Sequence, residues 1–165
     1  MSPGGVEGPY EGFLYNGSTA DVLKVPMPGA TNTIAMGINS TGEIVGYWQT
    51  STSASGFIYK NGVYTVINVP GSTGTQLRAI NDLGQILGVY TDTNNNTAHY
   101  FIYENGNYDA ITVLLGGQVV LGPGMGGGVG GINKAGQIVG NVSNTSNCAS
   151  SCAFVADPVV KLKTH

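Results

Sequence analysis

One short phrase occurs three times in the chain, and this repetition limits the folds available to it. The copies read GINSTGEIVGYW from Gly37, AINDLGQILGVY from Ala79 and GINKAGQIVGNV from Gly131. Self-similarity at a fixed period is typical of proteins built from stacked or ring-arranged units. In such a protein, further segments should recur together with the phrase.

Three other segments recur in the same order and complete a unit of four. An aromatic segment comes first in each unit, and Phe13, Phe57 and Phe101 mark its first three copies at a spacing of 44 residues. A fourth, degenerate copy is CAFVADP from Cys152. The alternating apolar segments that follow are DVLKVP from Asp21, YTVINVP from Tyr64, YDAITVLL from Tyr108 and VVKLK from Val159. The small-residue segment ending in Ile-Asn and the segment of the IVG type then follow.

All four segments are short, rich in Ile, Val, Tyr and Phe, and bounded by Gly, Asn and Pro, which is typical of strands. No window shows sustained helical periodicity, so we expect an all-β fold with almost no helix. Four strands in a unit of this length indicate the blade of a β-propeller. Within each antiparallel blade we predict the Ile-Asn strand innermost, followed by the IVG strand, the aromatic strand and the alternating strand.

We predict a single repeat domain over residues 1–165, with blades at about 33–70, 75–115 and 127–163 and an extra strand pair at about 10–28. Three blades are fewer than the usual four to eight. Uncharged blade edges favour association, so we expect a homo-oligomer, with a dimer completing the ring. A β-trefoil, which also has three repeats of four strands, is the alternative fold.

The composition narrows the classes of partner. Charged residues are 9% of the chain, the net charge is −3, and no basic cluster occurs, which argues against a nucleic-acid surface. No apolar run has the length of a membrane span. Low charge with abundant Gly, Asn and Thr fits an extracellular or cell-surface protein.

The repeated phrase, followed by a polar loop and an aromatic strand, resembles the HAF family of bacterial extracellular repeats. The matching positions in the first copy run from Gly37 to Gly46. The family's His-Ala-Phe triplet is matched poorly, by SGF at 55–57, HYF at 99–101 and CAF at 152–154. The resemblance implies a secreted, propeller-like array and transfers no catalytic residues.

The turn residues recur in phase and have two interpretations. They are Asn39, Gly42, Asn81, Gly84, Asn133 and Gly136. A ring of amides could bind a metal or a sugar. Alternatively, each asparagine caps its turn by accepting backbone N–H groups, and the glycine three residues later takes a positive φ. The second interpretation is the one we favour, and we predict no metal site and no cofactor.

Five side chains are the candidates for ligand binding. They are Tyr47, Trp48, Arg78, Tyr90 and His99. The aromatic rings end their strands beside loops and could stack on glycans, which makes a carbohydrate-binding propeller the alternative function. A hydrolase or lyase using His99 is a third hypothesis, weakened by the lack of a Gly-x-Ser-x-Gly elbow. The favoured function is a non-enzymatic scaffold or binding module.

Three further features have simple interpretations. Cys148 and Cys152 could close a small disulfide loop. The segment DTNNN at 92–96 lacks the glycine and the closing glutamate of a calcium loop, so we expect an ordinary hairpin loop. Glycine-rich residues 122–131 precede no helix and carry no Lys-Ser or Lys-Thr, so we expect an insertion between blades and not a phosphate loop.

Overall fold

A computed structural model describes residues 10–94, 96–115, 118–121, 127–145 and 148–157. Every regular element in these residues is a β-strand, which confirms the all-β prediction. No helix in this part of the chain is long and apolar enough to cross a membrane. The strands are β1 Gly12–Tyr15, β2 Ala20–Leu23, β3 Asn32–Ile38, β4 Ile44–Gln49, β5 Ala54–Lys60, β6 Val63–Ile67, β7 Ser72–Ile80, β8 Ile86–Asp92, β9 Ala98–Glu104, β10 Asn107–Ala110, β11 Val113–Leu115, β12 Gln118–Leu121, β13 Gly127–Ile132, β14 Ile138–Thr145 and β15 Cys148–Ala156.

The strands form two four-stranded antiparallel meanders and a three-stranded sheet. Strands β3 to β6 pair in chain order in the first meander, and β7 to β10 do so in the second. The third sheet has the order β13–β14–β15. A single parallel bridge, from Ala54 of β5 to Gly74 of β7, joins the two meanders. The predicted fourth segment of the third unit, from Val159, lies outside the described residues.

Two hairpins lie outside these sheets. The β1–β2 hairpin corresponds to the predicted extra strand pair, and the Tyr10 carbonyl accepts a hydrogen bond of 2.7 Å from the Thr33 amide. The β11–β12 hairpin differs from the sequence-based prediction of a single strand over the YDAITVLL segment. The strand breaks where the Ile111 amide donates to the Tyr100 carbonyl and the chain leaves the meander.

Glycine and phenylalanine pair across the second and third strands of each sheet. Gly46 lies opposite Phe57, Gly88 opposite Phe101, and Gly140 opposite Phe154. A Cβ on Gly46 would lie 2.9 Å from the ring of Phe57 and would also meet the Ile34 carbonyl. The IVG glycine therefore leaves room for the aromatic ring of the next strand, which explains why both residues recur together.

The β1–β2 hairpin, the first meander, the second meander and the third sheet form four successive layers, and an apolar cluster lies between each neighbouring pair. The first joins the β1–β2 hairpin to the first meander and includes Leu23, Trp48 and Phe57. The second joins the two meanders and includes Leu77 and Phe101. The third joins the second meander to the third sheet through residues such as Leu87, Tyr100 and Val142. Each meander thus contributes to two of the three clusters.

In the first two units, a buried threonine ties the inner strand to the segment that enters it. The Thr33 hydroxyl accepts a hydrogen bond of 3.1 Å from the Val25 amide, and the Thr75 hydroxyl accepts one of 3.0 Å from the Val69 amide. Both threonine side chains are almost fully buried. These contacts fix the path from the outer strand of one unit to the inner strand of the next.

Candidate functional site

The three asparagines of the repeated phrase are used inside their turns. In the second turn, Asn81 Oδ1 accepts hydrogen bonds of 3.0 Å from the amides of Leu83 and Gln85. Its Nδ2 donates to Gln85 Oε1 at 2.8 Å. Asn39 and Asn133 make the same set of contacts in their own turns. Gly42, Gly84 and Gly136 have φ values of 79°, 79° and 81°, in the left-handed region that favours glycine.

The same asparagines link one turn to the next, a role that we did not predict. Asn81 Nδ2 donates to the Asn133 carbonyl at 2.9 Å, and Asn39 Nδ2 donates more weakly to the Asn81 carbonyl at 3.4 Å. We call this chain of contacts the asparagine ladder. The sequence could have indicated this ladder. The turn uses one N–H of each asparagine side-chain amide, so the second N–H of a buried asparagine needs an acceptor outside its turn.

Two carboxylates beside the ladder have lowered pKa values. The Asn39 amide, followed by Lys60, holds the pKa of Glu43 below its ordinary value. Asp82 accepts a hydrogen bond of 2.8 Å from the Ser40 amide of the preceding turn, which lowers the pKa of Asp82. Both groups favour their charged forms, and Asp82 adds a second contact between the first two turns.

A cleft of about 630 Å³ lies between the second meander and the third sheet, and the loop between β4 and β5 of the first meander also lines it. Polar side chains dominate its walls, and these include Ser53, Gln76, Arg78, Thr91, Tyr100 and Asn141. Apolar Val89 and Val129 also line it. The cleft therefore offers hydroxyl, amide and guanidinium groups over a partly apolar surface, a combination that suits a small polar ligand.

Arg78 is the predicted ligand-binding residue that lies in this cleft. Its guanidinium donates to Gln76 Oε1 at 2.6 Å, and its central carbon lies 5.7 Å from the centre of the Tyr47 ring. Burial raises the pKa of Tyr100, and the positive charge of Arg78 opposes that rise. Arg78 is half-buried and makes no ion pair with a carboxylate in the part of the chain that the structure describes.

The other aromatic candidates are in different surroundings. Trp48 is only 7% exposed and packs in the core beneath the β1–β2 hairpin, so its ring has no free face for a sugar. Tyr90 is half-buried and stacks on His99 with ring centres 4.9 Å apart. Tyr47 is half-buried beneath Arg78. The structure thus brings Tyr47 and Arg78 together and leaves Trp48 and Tyr90 in packing roles.

His99 contacts a carboxylate but no nucleophile among the described residues. Its Nε2 lies 2.7 Å from Asp92 Oδ2, and both side chains are largely buried. Asp92 also accepts a hydrogen bond from the Asn94 amide at 2.9 Å, which closes the loop between β8 and β9. This pair orients the loop and supplies no serine or cysteine to activate.

The remaining candidates give no metal or phosphate site in the described ranges. No group of three or more His, Cys, Asp and Glu side chains there could hold a metal ion. Cys152 is disulfide-bonded, and the chain's other cysteine is Cys148, whose side chain lies outside the described residues. Residues 122–126 of the glycine-rich segment are also outside them, and Gly127–Ile132 form β13.

Comparison with known proteins gives no family for this chain. No family model, no curated protein and no solved structure matches it.

Proposed function

We propose that the chain is an extracellular, non-enzymatic binding module of β-propeller-like architecture that self-associates through its sheet edges. The resemblance to HAF repeats and the low charge support an extracellular setting. Support for the architecture comes from the meanders, because equivalent turns of successive units contact each other through the asparagine ladder. A β-trefoil would require hairpins closing a barrel, and none of the described sheets closes in that way.

The open edge of β1 is the observation that carries self-association. β1 pairs only with β2 among the described strands, whereas the corresponding β5 and β9 each pair with strands on both sides. Phe13 and Tyr15 on β1 are 67% and 61% exposed. An unprotected strand edge with exposed aromatic side chains is a template for pairing with another chain.

A second copy of this chain is the partner that the surface favours. Val139 and Val155 of the third sheet are also exposed, so apolar side chains lie on both the first and the last layer of the described chain. Contact between the first layer of one copy and the last layer of another would bury both sets. Two such contacts related by a twofold axis would close a ring of two copies.

The test is the mass of the particle in solution, measured by light scattering after size exclusion. We expect twice the chain mass of 16.9 kDa. Phe13→Glu should shift the protein towards the monomer, because it places a charge on the open edge. Val63→Glu is the matched control, since Val63 is 64% exposed on β6 away from that edge. A wild-type monomer would contradict the proposal.

Carbohydrate binding is the second candidate function, and the cleft beside Arg78 is the observation that favours it. Hydroxyl and amide side chains line this cleft together with the apolar side chains of Val89 and Val129. The proposed sugar-binding site is therefore this cleft and not the surface around Trp48.

A further inference from the structure

The cleft is lined by residues that are special to the second repeat. When the three copies are aligned on their asparagines, Arg78 corresponds to Met36 in the first copy and Gly130 in the third. Gln76 corresponds in the same way to Ile34 and Gly128. The scaffold tolerates apolar or small residues at both positions. Arg78 and Gln76 are therefore not needed to form the repeat, and their presence in the second copy needs another reason.

The charge of Arg78 is only partly satisfied within the described protein. A guanidinium has five N–H donors, and the Nη2 bond to Gln76 is the one hydrogen bond that the Arg78 side chain makes among the described residues. Burial removes part of its hydration, and no carboxylate among the described residues forms an ion pair with it. The ring of Tyr47 and the amide of Gln76 hold the guanidinium in place, which leaves its other donors available at the cleft.

We propose that this cleft binds an acidic sugar, with the carboxylate of a hexuronate on Arg78. The planar guanidinium matches a carboxylate through two parallel hydrogen bonds. Among the described residues that line the cleft, Arg78 is the single cation, which favours a monoanion over a doubly charged phosphate. The inference rests on the binding-module part of the proposed function and names the ligand class for it.

The other walls of the cleft fit the rest of such a ligand. Hydroxyl groups of Ser53 and Thr91 and the amide of Asn141 can exchange hydrogen bonds with sugar hydroxyls. The apolar surface of Val89 and Val129 can cover the C–H face of the ring. The volume of about 630 Å³ lies in the range of ordinary small-ligand sites.

The experiment is calorimetric titration of the full chain with sodium D-glucuronate, with D-glucose and sodium sulfate as parallel arms. We expect saturable binding of glucuronate, and binding at least about tenfold weaker for glucose, which lacks the carboxylate. Sulfate should bind more weakly than glucuronate. Amide and guanidinium NMR signals of Arg78 and Gln76 should shift on addition of glucuronate.

Two variants isolate the guanidinium. Arg78→Met installs the residue that the first repeat carries at this position and should weaken glucuronate binding at least about tenfold. Lys24→Met removes the same charge from an exposed lysine that pairs with Glu11, and it should leave binding unchanged. Arg78→Lys should bind with intermediate affinity, because it keeps the charge and loses the planar fork.

Three results would overturn the inference: no saturable glucuronate binding, equal effects of Arg78→Met and Lys24→Met, or sulfate binding as tightly as glucuronate. Light scattering of the same samples separates this inference from the proposed assembly. Dimers that do not bind glucuronate refute the cleft alone, whereas monomers that bind it refute the assembly alone.

Discussion

At the scale of single residues, the position that follows each turn glycine sets how the turn responds to pH. The neutral side-chain oxygens of Gln85 and Gln137 accept a hydrogen bond from the Nδ2 group of their turn asparagine, whereas in the first turn the carboxylate of Glu43 accepts it. Glu43 also pairs with Lys60 at 3.0 Å. The three turns are therefore alike in geometry, but only the first has a titratable acceptor for its asparagine.

Glu43→Gln should reduce the acid sensitivity of the fold. The folded-state pKa of Glu43 is lowered, so its contribution is present above the ordinary value of about 4.3 and is lost as the pH falls through the folded value. For a partly exposed pair we expect this contribution to be about 0.5–1 kcal/mol. Urea unfolding at pH 6 and at about pH 3 should show a smaller loss of stability for the variant than for the wild type.

Glu104→Gln is the control for this change, because it removes the same charge from a carboxylate that makes no ion pair among the described residues. Its stability should fall with pH as steeply as that of the wild type. Identical pH profiles for Glu43→Gln and Glu104→Gln would show that the first turn does not act as an acid-sensitive contact.

At the scale of strands, the glycine–phenylalanine pairs set the spacing within each sheet. A Cβ on Gly88 would lie 2.7 Å from Cε1 of Phe101 and 3.0 Å from the Gln76 carbonyl. Neither neighbour can move freely, since Phe101 is buried in the second cluster and Gln76 belongs to β7. The glycine is required by the close approach of an aromatic ring and not by its backbone dihedrals.

Gly88→Ala should lower the free energy of unfolding by about 1–3 kcal/mol, because it overpacks the second meander. Gly74→Ala is a matched control on the neighbouring strand, where the nearest atom to an added Cβ is 3.5 Å away. We expect that variant to stay within about 0.5 kcal/mol of the wild type. Thermal and urea unfolding measure both, and equal stabilities of the two variants would contradict the packing argument.

The strands were more predictable than the site, for physical reasons that particular residues show. A single short apolar segment can be a strand or part of a buried helix. The similar segments around Phe57 and Phe101 together indicate strands more clearly than either segment does alone. The β11–β12 hairpin has no counterpart in the other units and could not be found in this way. Burial of Trp48 depends on the β1–β2 hairpin that covers it, and the cleft beside Arg78 depends on how two sheets pack, which no local pattern encodes.

At the scale of the whole chain, the layers differ in how much of their surface is covered. The second meander packs against a neighbour on both faces, through the second and third apolar clusters. The β1–β2 hairpin packs on one side and exposes Phe13, Tyr15 and Val22 on the other. Local opening is easiest where fewest apolar contacts must be broken, so the layers should differ in stability.

Native-state hydrogen exchange should rank the layers in that order. We expect the slowest exchange for paired amides of β7 and β8 and the fastest for those of β1, by about tenfold or more. For the proposed dimer, dilution below the dissociation constant should speed exchange in β1 and leave β8 unchanged. Equally fast exchange in β1 and β8 would contradict the layered description.

The asparagine ladder has a direction. Each amide donates to the carbonyl of the turn that follows it in the chain, from Asn39 to Asn81 and from Asn81 to Asn133. By the same pattern, the Asn39 carbonyl would accept a hydrogen bond from a unit before the first turn, and Asn133 Nδ2 would donate one to a unit after the third turn. Because both ends present complementary groups, duplication of one unit within the gene would lengthen the array without any new interface having to evolve.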